Sequence, residues 1–132
     1  MRNLRVLVVD DFVTVRKGVC SILESRGDIE ICAEASNGAE AVRKATEFKP
    51  DIVLIDFTMP EMNGLEASKR ILQLFPEMPI LMLSRHTMET LTELAKDAGV
   101  GGFIVKGASE SELLEAVDKV LRKEPFFVSY EK

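Results

Sequence analysis

Short apolar segments alternate with longer segments of helical periodicity along this 132-residue chain, and five such pairs can be counted. The apolar segments, each of which predicts a β-strand, are Leu4–Val9, Ile29–Ala35, Ile52–Ile55, Ile80–Leu83 and Phe103–Val105. Continuous apolar runs such as residues 52–55 are typical of strands that are buried on both faces. Strand–helix alternation of this kind predicts an α/β protein with a parallel sheet, helices on both of its faces and right-handed crossovers.

Capping and termination signals mark where the intervening helices begin and end. Asn37 is followed by Glu40, and Ser109 by Glu112, which is the spacing of a capping box at a helix N-terminus. Gly99 stands where the fourth helix is expected to stop. These signals predict that the second and fifth helices begin directly after residues 37 and 109.

Polar side chains follow four of the five predicted strands, at the point where each strand ends. The first strand ends at Asp10 and Asp11, the third at Asp56, the fourth at Ser84 and the fifth at Lys106. In open α/β sheets the functional crevice lies at the carboxyl ends of the strands. We therefore expect these five side chains to lie close together at one edge of the sheet.

Three carboxylates in a small space repel one another unless a bound cation or raised pKa values relieve the repulsion. Oxygen-only ligands favour Mg²⁺, which takes one or two carboxylates together with phosphate oxygens and water. A carboxylate can then act as a nucleophile and form an acyl phosphate, while Lys106 and the cation neutralise charge on the transferred group. These residues predict a magnesium-dependent phosphoryl-transfer site.

Four segments resemble the receiver domain of bacterial two-component response regulators. They are VLVVDD, PDIVLIDFTMPEMNGLE, LS and GFIVK, and they occur in the family's order at the expected strands. The resemblance extends from the first strand to the fifth helix. It implies a flavodoxin-like (βα)5 receiver fold with a five-stranded parallel sheet in the strand order 2-1-3-4-5.

The resemblance implies a role for the acids at the strand ends. Asp56 would accept the phosphoryl group. Asp10, Asp11 and Asp56 would bind Mg²⁺, with the backbone carbonyl of Thr58 as a further ligand.

Other residues of the resemblance would contact the phosphate or shape its pocket. Ser84 would donate a hydrogen bond to the phosphate, and Lys106 would be its counter-ion. Phe103 occupies the position of the family's switch aromatic, which is expected to move with Ser84. Pro60 and Gly64 fit a tight turn that shapes the rim of the pocket.

The segments ASNGAEAV, MPEMNGLEA and VKGASESELLEAV are similar to those of NarL/LuxR-type regulators, in which a helix-turn-helix DNA-binding domain follows a linker. Residues 1–123 are then a receiver domain, and residues 124–132 are a tail or the start of a linker to an output domain absent from this chain. The expected function is a phosphorylation-dependent switch of a two-component system that regulates transcription. A histidine kinase would phosphorylate it, it would catalyse only its own phosphoryl transfer and dephosphorylation, and phosphorylation would alter homodimer formation or partner binding.

The net charge, the N-terminus and the length of the apolar runs indicate which partners and which cellular compartment to expect. A net charge of -5 argues against nucleic-acid binding by this chain itself, so DNA would be contacted through the output domain. Met1 leads directly into the first strand without a targeting leader, and apolar runs are too short to span a membrane, which predicts a cytoplasmic protein without membrane contact. Cys20 and Cys32 both fall on apolar sides and are expected to be buried thiols.

Three other functions are consistent with parts of this pattern. A phosphohydrolase with an aspartyl nucleophile would need an Asp-x-Asp spacing, which Asp10, Asp11 and Phe12 lack. A flavodoxin-like electron carrier would need a Ser/Thr/Gly-rich phosphate loop, and FVTVRK is not one. An interaction module independent of phosphorylation would lack one of the strand-end groups, all of which are present.

Several residues depart from the family pattern or stand apart from it. Arg85 occupies a position where the family usually has a small residue, and it is expected to restrict access to the phosphate site or to add a charge contact. Gly107 replaces the proline that many receivers join by a cis bond, so a trans bond is expected after Lys106. Phe103 lacks a tyrosine hydroxyl, so any switching must come through packing. His86, the only histidine, is expected to be exposed in a loop.

Overall fold

The computed structural model describes residues 3–59, 62–85 and 89–127, which form alternating strands and helices. The strands are β1 (Leu4–Val9), β2 (Ile29–Ala35), β3 (Ile52–Asp56), β4 (Ile80–Ser84), β5 (Gly102–Val105) and β6 (Phe126–Phe127). The helices are α1 (Val13–Glu24), α2 (Gly38–Phe48), α3 (Gly64–Leu74), α4 (Glu89–Ala98) and α5 (Glu110–Leu121). Pro60 and His86, for which the sequence analysis gave expectations, lie outside the described residues.

The strands form one sheet in the order β2-β1-β3-β4-β5-β6, and every neighbouring pair is parallel. The predicted α/β architecture and the order 2-1-3-4-5 are therefore confirmed. The two-residue strand β6 is an addition at the β5 edge that the sequence analysis did not predict. It arises because the chain turns after α5 at Lys123, whose φ is 64°, and pairs Phe126 with Gly102 and Phe127 with Phe103.

Successive residues of the strands point to opposite faces of the sheet, and each face has its own core. Leu7 and Val9 of β1 pack with buried residues of α2, α3 and α4, whereas Val6 and Val8 pack with those of α1 and α5. The predicted coverage of both faces by helices is thus confirmed. Within the described ranges, none of the helices is both long and apolar enough to cross a lipid bilayer.

The two cysteines differ in their surroundings. Cys20 is buried on α1, and burial raises the pKa of its thiol to about 11, which fits an inert core residue. Cys32 on β2 is only half-buried, so the prediction of a buried thiol is wrong for this residue. β2 is an edge strand of the sheet, which leaves its side chains less covered than those of β3.

The predicted helix caps are present, with one difference. Ser109 and Glu112 form a reciprocal capping box at α5, with N–H donors 3.1 and 3.2 Å from the side-chain oxygens. Asn37 accepts a hydrogen bond from the N–H of Glu40 at 2.8 Å. The Glu40 carboxylate, however, accepts from the N–H of Ser36 at 2.7 Å and not from Asn37, so the box at α2 extends one residue further back.

Candidate functional site

The predicted strand-end residues lie along one edge of the sheet. Asp56 is the last residue of β3, Ser84 is the last residue of β4, and Lys106 directly follows β5. The N–H of Lys106 donates to the Ser84 carbonyl at 2.7 Å, which holds these two strand ends side by side. Asp10 directly follows β1, which pairs with β3. The sheet topology therefore brings together the side chains that the sequence placed at one edge.

Lys106 is the shared counter-ion of two buried carboxylates. Its Nζ lies 2.8 Å from Oδ2 of Asp10 and 3.1 Å from Oδ1 of Asp56. The Asp10 and Asp56 side chains are 6% and 3% exposed, so the attraction is weakly screened by solvent. One ammonium group faces two carboxylates, which leaves a net negative charge at the end of β3.

Asp11 completes a cluster of three acids with Asp10 and Asp56, in which one carboxylate oxygen from each lies within 4.8 Å of the others. Asp10 and Asp56 are buried, whereas Asp11 is exposed and opens the cluster to water. An oxygen-only set with one solvent-facing side suits a hard divalent cation that keeps several water ligands, such as Mg²⁺. The residues present therefore fit the metal that the sequence predicted.

The electrostatic environment of Asp56 disfavours its ionised form. Burial raises the pKa of Asp56, and the neighbouring Asp10 carboxylate raises it further. The Lys106 ammonium and the N–H of Thr58 lower the pKa, but they do not offset the rise. A cation at the cluster would oppose the same repulsion, so the carboxylate has a physical reason to bind one.

Thr58 and Ser84 stand beside Asp56 in different ways. The Thr58 N–H lies 3.3 Å from Oδ1 of Asp56, and the residue is exposed. Its carbonyl as a cation ligand stays a prediction. Ser84 is 1% exposed on the strand adjacent to β3, and its contact with a phosphate also stays a prediction.

Arg85 reaches across the rim of the site. Its guanidinium carbon lies 5.9 Å from the centroid of the Phe12 ring, within range of a cation–π contact. Phe12 follows β1 and Arg85 follows β4, and β3 lies between these strands. The contact therefore spans the end of the strand that carries Asp56. The expected restriction of access by Arg85 is consistent with this position.

Phe12 and Arg16 are site residues that the sequence analysis did not single out. Phe12 is apolar, but it is the N-cap residue of α1 and is 57% exposed. Its N–H donates to Oδ1 of Asp10 at 2.9 Å. Arg16 donates to the Asp10 backbone carbonyl at 2.8 Å. Neither contact has a signal in the sequence, because an apolar residue and a basic residue are ordinary at the start of a helix.

Two glycines at the site are explained by different constraints. Gly64 begins α3, and it is needed for close packing against the backbone of Asp56 and Phe57, with no φ in the left-handed region. The predicted tight turn at Pro60 and Gly64 stays a prediction, because Pro60 lies outside the described residues. Gly107 has a φ of 90°, which favours glycine, and the Lys106–Gly107 bond is trans as expected.

Phe103 lies in the core and not on the surface. Its side chain is 0% exposed, and it packs in the core on the α2, α3 and α4 side of the sheet. The ring is therefore already inside the core in this structure. Its role as a switch residue stays a prediction.

Comparisons with known proteins agree on one family. Residues 6–118 match the response regulator receiver domain. The chain is 40% identical over 125 residues to the response regulator protein VraR of Staphylococcus aureus, covering 95% of this chain and 60% of that protein. It thus spans about three-fifths of the length of the curated relatives it matches.

Solved structures are similar in both fold and sequence. A LuxR-family two-component response regulator from Aurantimonas is 32% identical with a TM-score of 0.90, over 94% of this chain and 89% of that one. The CheX–CheY–BeF3–Mg+2 complex from Borrelia burgdorferi contains a chain that is 31% identical with a TM-score of 0.86, over 90% of each chain.

Proposed function

This chain belongs to the response regulator receiver domain family, and on that premise we propose that a histidine kinase phosphorylates it on Asp56 in the presence of Mg²⁺. The observation that carries the proposal is the contact of one ammonium group, on Lys106, with Asp10 at 2.8 Å and Asp56 at 3.1 Å inside the acidic cluster. A buried carboxylate with an adjacent cationic side chain and further acids is the arrangement that phosphoryl transfer to a carboxylate requires.

The phosphoryl group would pass from a phosphohistidine to an oxygen of Asp56. The Asp56 oxygen forms a bond to phosphorus, and the phosphorus–nitrogen bond breaks with its electron pair returning to the imidazole. Lys106 lies close enough to Asp56 to pair with a phosphoryl oxygen in the product. The buried hydroxyl of Ser84 would donate a hydrogen bond to another oxygen.

Asp10, Asp11 and Asp56, with the carbonyl of Thr58, would hold the cation. When bound, Mg²⁺ would offset the negative charge that carboxylates and phosphoryl oxygens place at the end of β3. The similar chain from Borrelia burgdorferi is part of a CheX–CheY complex that contains Mg+2 and BeF3, which supports the same use of the cluster in this chain. Attack by water on the phosphorus would then break its bond to the Asp56 oxygen, release inorganic phosphate and return Asp56 to its carboxylate form.

The output of the switch is proposed from the relatives. We expect phosphorylation to alter homodimer formation or partner binding and thereby to regulate transcription through a helix-turn-helix domain joined after residues 124–132. Two observations support this output. The chain matches 60% of the length of VraR, and it is similar to a LuxR-family regulator. The net charge of -5 over the 132 residues disfavours direct DNA contact by this chain.

Acetyl phosphate with MgCl2 tests the proposed acceptor. Intact-mass spectrometry should detect one added phosphoryl group on the parent chain and none on Asp56→Asn. Asp51→Asn is the matched control, because Asp51 precedes the opposite end of the same strand and its carboxylate binds the N–H of Arg5. This control should be labelled to the same extent as the parent. Equal labelling of Asp56→Asn would show that another residue is the acceptor.

A further inference from the structure

Arg16 ties the loop after β1 to the neighbouring strand β2. Its Nη1 donates to the backbone carbonyl of Asp10 at 2.8 Å, and its Nε donates to Oε1 of Glu34 at 2.8 Å. We propose that Arg16 is a positioning residue for the cation site, which fixes the peptide group between Asp10 and Asp11 and thereby the direction of the Asp11 carboxylate. This role rests on the proposed function, because it assumes that the acidic cluster holds a divalent cation.

The other polar groups of Asp10 already have partners. Its N–H donates to the Ala35 carbonyl at 3.0 Å, and its carboxylate contacts Lys106 at 2.8 Å and the N–H of Phe12 at 2.9 Å. The Asp10 carbonyl belongs to the peptide group that leads into Asp11, which is exposed. Rotation of this peptide group would redirect Asp11 without breaking the other contacts of Asp10. Arg16 is thus placed to restrict that rotation.

Arg16 is itself held in a fixed geometry. Its side chain is 14% exposed, and Glu34, its acceptor, is 27% exposed. Glu34 is fixed in turn by the ammonium of Lys17 at 2.8 Å, and its carbonyl accepts from Lys44 at 2.7 Å. The planar guanidinium can bind a carbonyl and a carboxylate at once in a set orientation, which a flexible ammonium group does less well.

The direction in which Mg²⁺ affinity changes when Arg16 is replaced distinguishes a positioning role from a purely electrostatic effect. Arg16 places a positive charge near a site for a cation, so its charge alone weakens the binding of Mg²⁺. If charge were its only effect, removing it would tighten binding. If Arg16 positions the acids, removing it weakens Mg²⁺ binding. The acidic side chains must then become ordered when the metal binds, and this ordering reduces the net free energy of binding.

The test is the Mg²⁺ dissociation constant of the full chain, measured by titration calorimetry. We expect Arg16→Gln to bind Mg²⁺ about tenfold more weakly than the parent, in the range found when partners of metal ligands are removed. Arg16→Lys, which keeps the charge, should also bind more weakly, but by less. Lys17→Gln is the matched control, because Lys17 contacts the same Glu34 carboxylate and, among the described residues, has no hydrogen bond to Asp10. It is 61% exposed and should stay within about twofold of the parent.

The outcomes distinguish a failure of the positioning role of Arg16 from a failure of the proposed cation site. Affinity equal to or tighter than that of the parent in Arg16→Gln would overturn the positioning role and leave the cation site intact. A parent chain that does not bind Mg²⁺, or Asp11→Ala with unchanged affinity, would overturn the proposed function itself. If thermal denaturation shows that Arg16→Gln is unfolded, Arg16→Lys decides the question, and parent affinity in that variant would reject the role.

Discussion

The packing of Gly64 against β3 makes a sharp prediction about both stability and the site. Its N–H donates to the Phe57 carbonyl at 2.8 Å. A Cβ at this position would overlap the carbonyl oxygen of Asp56 and would lie 2.9 Å from the Asp56 carbonyl carbon and 3.0 Å from Cα of Phe57. All three neighbours are backbone atoms, so no change of side-chain rotamer relieves the overlap. Gly64→Ala must therefore move the start of α3 away from the strand that carries Asp56.

The size of the effect follows from this overlap. Carbon atoms pack best at about 3.5–4.0 Å, so the two carbon contacts alone require the helix start to retreat by roughly 0.6–1 Å, and the overlap with the Asp56 oxygen requires a larger movement. Overpacking of this kind costs about 1–3 kcal/mol, and loss of the Gly64 hydrogen bond adds about 1 kcal/mol. We expect Gly64→Ala to lower the free energy of unfolding by about 2–4 kcal/mol. That is a large part of the roughly 5–15 kcal/mol by which domains are stable.

Gly18→Ala is the matched control, because a Cβ at this position in α1 meets nothing within 4 Å. It should raise the free energy of unfolding by about 0.5–1 kcal/mol, since alanine favours a helix interior over glycine. Urea denaturation measures both changes, and Mg²⁺ titration should show weaker binding only in Gly64→Ala. If Gly64→Ala is as stable as the parent, the close approach of α3 to Asp56 is not a constraint and the reasoning is refuted.

Two further predictions concern charge at the site. Arg85→Ala should accelerate labelling by acetyl phosphate or hydrolysis of the acyl phosphate several-fold, because it removes the side chain that extends over the end of β3 to Phe12. If stopped-flow assays show unchanged rates for both steps, Arg85 does not restrict access. Without Mg²⁺, Asp56→Asn should raise the free energy of unfolding at neutral pH by on the order of 1 kcal/mol. The raised folded-state pKa of Asp56 means that its ionisation opposes folding, so this gain should shrink as the pH falls through that pKa and vanish below 3.8, the ordinary value. Urea denaturation at several pH values measures this, and a gain that does not depend on pH would contradict it.

The architecture was predictable because its signals are local and mutually consistent. The apolar run Leu4–Val9 is β1 with the predicted bounds, and the run Ile52–Ile55 is β3 with Asp56 as its last residue. Once the strands are known to be parallel, their carboxyl ends must share one edge of the sheet. The proximity of Asp10, Asp56 and Lys106 therefore followed from the order of the strands and needed no knowledge of side-chain packing.

The features that were missed depend on contacts between distant segments. Phe12 has an apolar side chain in helical register with α1, but the chain direction at the N-cap leaves it exposed over the site. Phe126 and Phe127 pair with β5 where Gly101 and Gly102 leave room for Val120, and where Gly102 leaves room for the Phe126 carbonyl oxygen. Periodicity within one segment contains no information about such pairings, since they are decided by the shape of the partner surface.

The charge imbalance at the site would link the proposed phosphorylation of Asp56 to the β5–β6 edge of the sheet. Lys106 divides its ammonium between Asp10 and Asp56, and phosphorylation of Asp56 offers it phosphoryl oxygens as better partners. Because Lys106 directly follows β5, any movement toward the phosphate acts on the strand that pairs with β6 and contains Phe103. A shift of a population from 1:99 to 99:1 needs about 5.5 kcal/mol. Hydrogen bonds to charged groups contribute about 1.5–3 kcal/mol each, so two new contacts with the phosphate would supply about 3–6 kcal/mol and three would supply about 4.5–9 kcal/mol. Three contacts at the proposed phosphate would therefore supply an energy of the size that a change at the β5–β6 edge needs, whereas two would do so only at the upper end of their range.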